Sequence, residues 1–148
     1  MLNPALLAVV TGHAAAEYRK ASDTDMPWIL SFVVAPMVLH RGTREALPAS
    51  RRTYLATWLS RHPTLHAGLP QRARGLVEPV RRGIRFGLEH DIIRLDGDRL
   101  RSNLPKRPRG FHAPDELKEI VQKAGFVGRW FAGIDSAATV LAVLGVAP

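Results

Sequence analysis

Between Met26 and Leu39 the chain carries Trp28, Ile29, Leu30, Phe32, Val33, Val34, Met37, Val38 and Leu39, so a helix through these positions is apolar on nearly every face. Such a helix has no side to show to water. The fold must be built around it, or it must meet a partner. Asp25 and Pro27 are placed to start it, and Pro36 predicts a bend or an early end. At about 14 residues the segment falls short of the roughly 20 that a helix needs to cross a bilayer. The second apolar run, Ile134 to Ala147, is equally short. Both read as buried helices, and no membrane association is expected. No basic region precedes the apolar stretch Pro4 to Val10, so no targeting segment is expected either.

With 148 residues, 46% of them hydrophobic and 23% charged, the chain can bury one real core, and 1–148 reads as a single domain. The absence of cysteine excludes disulfides, thiolate metal sites and cysteine nucleophiles together, and it fits a cytoplasmic protein.

Asn3 and Pro4 open a first helix to about Lys20, with Leu6, Leu7, Val10, Ala14 and Tyr18 as its buried stripe. The apolar helix follows and completes an N-terminal helical region, 1–40. A connection with one helical turn at Thr43 to Leu47 leads to Ser50, which is placed to cap a helix from Arg51 to His62. Tyr54, Leu55, Trp58 and Leu59 share one side of it, and Pro63 stops it. Helical character resumes between about Leu65 and Val77. Glu78 and Pro79 then open a helix that ends near His90.

In that helix Val80, Ile84 and Leu88 stack, which turns Arg81, Arg82, Arg85 and Glu89 outward. A hairpin follows, Ile92 to Leu95 and Arg99 to Ser102, turned at Asp96 and Gly97. Alternation places Ile93, Leu95 and Leu100 on one face and Arg94, Arg99 and Arg101 on the other. A helix followed by a short wing is the way winged-helix modules present a surface, so 50–103 reads as a winged-helix-like unit. Residues 104–113 form a basic linker with Lys106, Arg107 and Arg109. Residues 114–148 hold two more helices, Asp115 to about Ala132 and a small-residue helix capped by Asp135 or Ser136 and stopped at Gly145. The fold class is therefore mainly α, with a β-hairpin wing at the centre and flanking apolar helices packed together beside it.

The net charge of +8 is concentrated. Residues 41–112 hold sixteen Arg or Lys against six Asp or Glu, while each flank has one more acidic than basic residue. A focused positive field draws phosphate backbones or acidic protein faces. Arg81, Arg82, Arg85, Arg94, Arg99, Arg101, Lys106, Arg107 and Arg109 are the candidate contacts. Trp28, Phe32, Trp58, Phe126, Trp130 and Phe131 are candidates for core or subunit interface. On the charged helix Glu78 with Arg82 and Arg85 with Glu89 have pairing spacing. No Asn or Gln stands there for adenine readout, so any nucleic-acid contact would be mainly electrostatic.

Chemistry-bearing motifs are missing. His62 and His66 have metal-ligand spacing, but Pro63 lies between them and no carboxylate or thiol is near in sequence to complete a set. Asp96 and Asp98 read as turn residues, and Asp115, Glu116 and Glu119 as a helix start. No serine stands in a nucleophile elbow, and no Gly-Lys-Ser or Gly-Lys-Thr is present, so any ATP is bound by another subunit. Glycines 125, 128 and 133 read as close-packing positions. No enzyme activity and no cofactor are expected.

Several blocks in fixed order resemble the middle component of bacterial ABC three-component systems. They are the opening Asn3, Pro4 and Ala5 helix to Tyr18; Pro36 to His40 with Thr43, Arg44, Leu47, Pro48 and Ser50; Arg82, Phe86, Gly87 and Leu88; and Phe126, Gly128 to Ala132 with Leu144, Gly145 and Val146. The resemblance spans nearly the whole chain. It implies a small non-catalytic adaptor or regulatory subunit, encoded beside a large SMC/Rad50-like ATPase and a variable third subunit, that serves in conflict with phage or plasmids. It brings no catalytic residue. Asn103 to His112 departs from the pattern in its wealth of Arg, Lys and Pro. The alternative reading is a stand-alone winged-helix DNA-binding regulator, and a second copy of the chain is a further allowed partner.

Overall fold

The computed structural model describes residues 2–105 and 113–147. Helix α1 (Pro4–Ser22) starts as its sequence dictates. The Asn3 side chain accepts the Ala5 N–H at 2.9 Å, and Pro4 sits where a missing N–H costs nothing. It runs to Ser22, slightly past the expected end, and stops at Asp23 in a left-handed conformation with φ 62°.

The apolar segment does not begin as a helix. Met26–Pro27 (β1) pairs antiparallel with Arg99–Ser102 (β3), which also pairs with Ile93–Asp96 (β2), giving the order β1-β3-β2. Trp28–Leu30 then makes one 3-10 turn, and Ser31–Leu39 forms α2. Periodicity could not show this, because the two residues taken by the strand are recruited by a hairpin more than 70 positions later. Pro36 neither ends nor interrupts α2; it is buried inside it, and only the bond to the Phe32 carbonyl is forfeited. The expected turn at Thr43 is a short helix, α3 (Arg41–Ala46), capped by His40.

Helix α4 is Leu55–Arg61, four residues shorter at its start than the sequence suggested. Ser50 caps only a turn, accepting the Arg52 N–H at 3.1 Å, and Tyr54 lies outside the helix with 81% of its surface exposed rather than on the buried side. Pro63 marks the end of one helix and also begins the next, α5 (Pro63–Gly75), at the position where proline is best tolerated. Helix α6 (Val77–Glu89) buries Val80, Gly83, Ile84 and Gly87. Its buried face is rotated toward the glycines, which leaves Leu88 37% exposed instead of stacked below Ile84. The chain closes with α7 (Asp115–Ala132) and α8 (Ala137–Leu144), the latter capped by Ser136 and ended by Gly145 at φ 74°, as expected.

The whole is mainly helical, with one small antiparallel sheet. Helix α1 is the hub: α7 packs along it most extensively, α6 next, and β3 covers a further side. Gly83 lets α6 rest on Leu7, and Gly87 lets it meet Ala8 and Ile93. Gly125 and Gly128 do the same for α7 against His13 and Ala14, whereas Gly133 is only the exposed cap of α7. Helix α2 fills the interior with Val33, Val34, Ala35, Met37 and Val38, all essentially without exposure. The apolar helices of the two chain ends pack together, and no single helix among the described residues is long and apolar enough to cross a membrane.

Candidate interaction surface

The hairpin turns at Gly97 and Asp98 rather than at Asp96 and Gly97. Asp96 faces Arg99, Leu95 faces Leu100, Arg94 faces Arg101 and Ile93 faces Ser102. Gly97 takes φ 62°, a conformation open to glycine at the first central position of a two-residue loop. The register is displaced by two residues from the expected one, which preserves the side-chain parity. Ile93 and Leu100 are buried on the inner face, Leu95 is 41% exposed on it, and Arg94, Arg99 and Arg101 share the outer face.

Those three arginines are not equivalent. Arg94 and Arg101 stand directly opposite, an arrangement that repels unless one of them finds an anion. Arg101 does so. Its Nε lies 3.1 Å from Asp25 Oδ1, and its Nη2 donates to Asp25 Oδ2 at 3.2 Å. Arg19 donates to the same carboxylate at 2.6 Å, and Arg99 to the Asp25 backbone carbonyl at 2.9 Å. Asp25, expected to start a helix, is instead the knot that ties the end of α1, the start of β1 and the hairpin.

On α6, Arg81, Arg82 and Arg85 are exposed. Glu78 pairs with Arg81 at 2.8 Å, and neither the Glu78–Arg82 nor the Arg85–Glu89 pair forms. Among the described residues Arg82, Arg85 and Arg94 make no hydrogen bond or ion pair, so their charge is available to a partner. On the same two elements Leu88 and Leu95 are exposed, and Phe86 stacks on His90 with centroids 3.9 Å apart. Lys106, Arg107 and Arg109 lie outside the described residues.

The aromatic candidates divide as well. Trp58, Trp130 and Phe131 are core residues, the two indoles edge to face at 5.6 Å with their N–H groups donating to the Ala46 and Thr53 carbonyls. Phe126 is half-buried against Trp130. Trp28 and Phe32 are half-buried, edge to face at 5.3 Å, where the 3-10 turn enters α2.

Sequence reasoning missed one buried and one partly buried guanidinium group. Arg44, 2% exposed, donates to the Val38 carbonyl at 2.8 Å and meets Glu116 and Glu119 of α7 at 3.4 and 3.6 Å. Arg72 donates to Thr43 Oγ1 and the Leu65 carbonyl. Nothing in local spacing marks either residue, because their acceptors come from other elements or from backbone.

Asp25 is held below the ordinary carboxylate value of 3.8 by its hydrogen bonds to Arg101 and Arg19, against the opposing effect of burial. In Glu17 burial acts upward, but bonds to Arg129 and Lys20 outweigh it and bring the carboxyl below 4.5. His40 is held below 6.5 by burial first, and then by Arg72 and Arg44. The signs agree. A histidine kept neutral in the fold costs stability once the unfolded chain protonates, and carboxylates with lowered values lose their contribution as pH falls through their titration. Urea unfolding is therefore expected to show stability declining from about pH 6.5 downward and more steeply below about 4.5. The Asp25→Asn variant should flatten the lower limb; a profile unchanged between pH 7 and 4 would contradict this assignment.

Among the described residues no group of three or more His, Asp or Glu side chains could hold a metal ion. Helix α6 and the hairpin carry exposed arginines without internal partners and exposed leucines, which suits recognition. In comparison with known proteins, the family model for the ABC-three component (ABC-3C) system Middle Component 3 matches residues 1–148. No curated protein and no solved structure matches the chain.

Proposed function

The chain belongs to the Middle Component 3 family of ABC-three component systems, and from that premise we propose that it is a non-catalytic adaptor in a bacterial conflict or anti-phage defence system. It joins an SMC/Rad50-like ATPase to a variable third component in the cytoplasm, and it leaves nucleotide chemistry to the ATPase. The observation that carries this reading is the set of three exposed arginines without internal partners, Arg82 and Arg85 on α6 and Arg94 on the outer face of the hairpin, together with the exposure of Leu88 and Leu95 on the same two elements. Unpaired charge and exposed leucines on two consecutive elements fit an acidic protein partner, which pairs the charges and covers apolar surface.

The order of elements supports a winged-helix-like centre for the single domain. A strand after the first helix adds to β3 of a hairpin that directly follows α6, so α6 and the hairpin are presented together. The basic linker at residues 104–113 adds Lys106, Arg107 and Arg109 to the positive charge of the chain.

Co-expression with the ATPase encoded beside it tests the reading. The adaptor should co-purify with the ATPase in a fixed ratio, and on its own it should hydrolyse no ATP. A chain that stays monomeric and ignores that ATPase would overturn it. The second reading, a stand-alone DNA-binding regulator, draws on the same three arginines. It requires the isolated chain to bind duplex DNA with affinity that falls steeply with salt, by a slope of about 0.9 per phosphate contacted. On the adaptor reading the isolated chain binds duplex weakly and without sequence preference.

A further inference from the structure

Helix α2, the His40 junction that follows it and the end of α5 border an open pocket of about 340 Å³ lined by Pro36, Leu39, His40, Arg72, Gly75 and Leu76. Its walls are mostly apolar, and its polar groups are donors. Arg72 reaches it from α5 and is held in place by two neutral acceptors. Its Nη2 donates to Thr43 Oγ1 at 3.2 Å and to the Leu65 carbonyl at 3.1 Å. Gly68 makes room for the guanidinium, since a Cβ there would collide with Nη1. The Nε–H is enclosed and has no acceptor.

The neighbouring Arg44 shows what is missing. Arg44 on α3 is buried and Arg72 on α5, which reaches Thr43 of α3, is partly buried with its Nε enclosed, but Arg44 has two carboxylates on α7 and Arg72 has none among the described residues. Even partial withdrawal of a positive charge from water is unfavourable without a counter-ion, and an arriving anion offsets it. His40 supplies a second donor. Its Nδ1 accepts the Thr43 N–H at 3.1 Å, which leaves the ring hydrogen on Nε2.

We propose that this pocket is an anion subsite for a carboxylate on an apolar stem, the acidic side chain of a partner protein, with Arg72 as its charge partner and the His40 Nε2–H as a second donor. The apolar stem lies against Pro36, Leu39 and Leu76 while the carboxylate faces the positive charge of Arg72 and the His40 ring. The subsite rests on the adaptor reading only for the source of that carboxylate. Its affinity for a free carboxylate is testable with no partner present, so failure of one is distinguishable from failure of the other.

The full-length ¹⁵N-labelled chain titrated with 4-methylpentanoate, 4-methylpentan-1-ol and inorganic phosphate in parallel gives the test. The Arg72 Nε–H and His40 ring signals should shift saturably with the carboxylate and not with the alcohol. The bound anion should also raise the His40 pKa, because it favours the imidazolium. Arg72→Gln should weaken the response at least tenfold, and the signals of the unaltered chain decide the matter even if that variant fails to fold. Equal response to the alcohol, tighter binding of phosphate than of the carboxylate, or no response at Arg72 and His40 would each overturn the proposal.

Discussion

Gly128→Val is expected to cost at least about 3 kcal/mol, the upper range for overpacking. Helix α7 lies closest to α1 at this residue, and a Cβ there would be driven into the Ala14 carbonyl oxygen, with the Ala14 carbonyl carbon only 2.9 Å away. The obstacle is backbone, so no rotamer change relieves it. The two helices must separate along the most extensive contact in the fold. Gly133→Ala, where the nearest atom is 3.5 Å away and the residue is exposed, is the control and should shift stability by less than about 0.5 kcal/mol. Urea midpoints of the two variants make the comparison. Equal midpoints would show that α1 and α7 do not approach as closely as described.

Trp130→Ala is expected to destabilise by about 3–5 kcal/mol, a large share of what a domain of this size possesses. Only 3% of the residue is exposed. Its ring meets Trp58 edge to face and lies against Phe126 and Phe131, and its Nε1–H donates to the Thr53 carbonyl at 2.7 Å. That last bond fixes the irregular segment before α4, a region with no helix or strand of its own. Trp130→Phe keeps most of the packing and leaves the Thr53 carbonyl without its donor, so about 1–2 kcal/mol of loss is expected. Thermal unfolding separates the two. If alanine and phenylalanine cost the same, the hydrogen bond rather than the aromatic cluster anchors the segment.

What could be read in advance follows the range of the interactions. Asn3, Pro4, Ser136 and Gly145 act within a few residues, and the helix ends they predict are where the structure has them. The parity of the hairpin was legible because alternation survives a two-residue displacement of the register, although the turn itself was misplaced by one residue. The role of Met26 and Pro27 as a strand was not legible, since it exists only when Leu100 and Arg99 come alongside. The same holds for charge. Counting placed six arginines on one helix face and one hairpin face, but only the fold shows that Asp25 occupies Arg99 and Arg101 while Glu78 engages Arg81. Arg44 and Arg72 read as ordinary surface residues until α7 and α3 are placed beside them.

Binding of the purified chain to the ATPase encoded next to it, measured by calorimetry for the unaltered protein and for two sets of variants, addresses the central claim most directly. Reversing the charge of Arg82, Arg85 and Arg94 together should weaken association at least tenfold, or about 1.4 kcal/mol, with the unfolding midpoint unchanged. Replacing Arg99 and Arg101 by glutamine should lower stability by loosening the hairpin from Asp25 and leave affinity within about threefold. The reverse pattern, with affinity lost through Arg99 and Arg101 and untouched by the other three, would contradict the account.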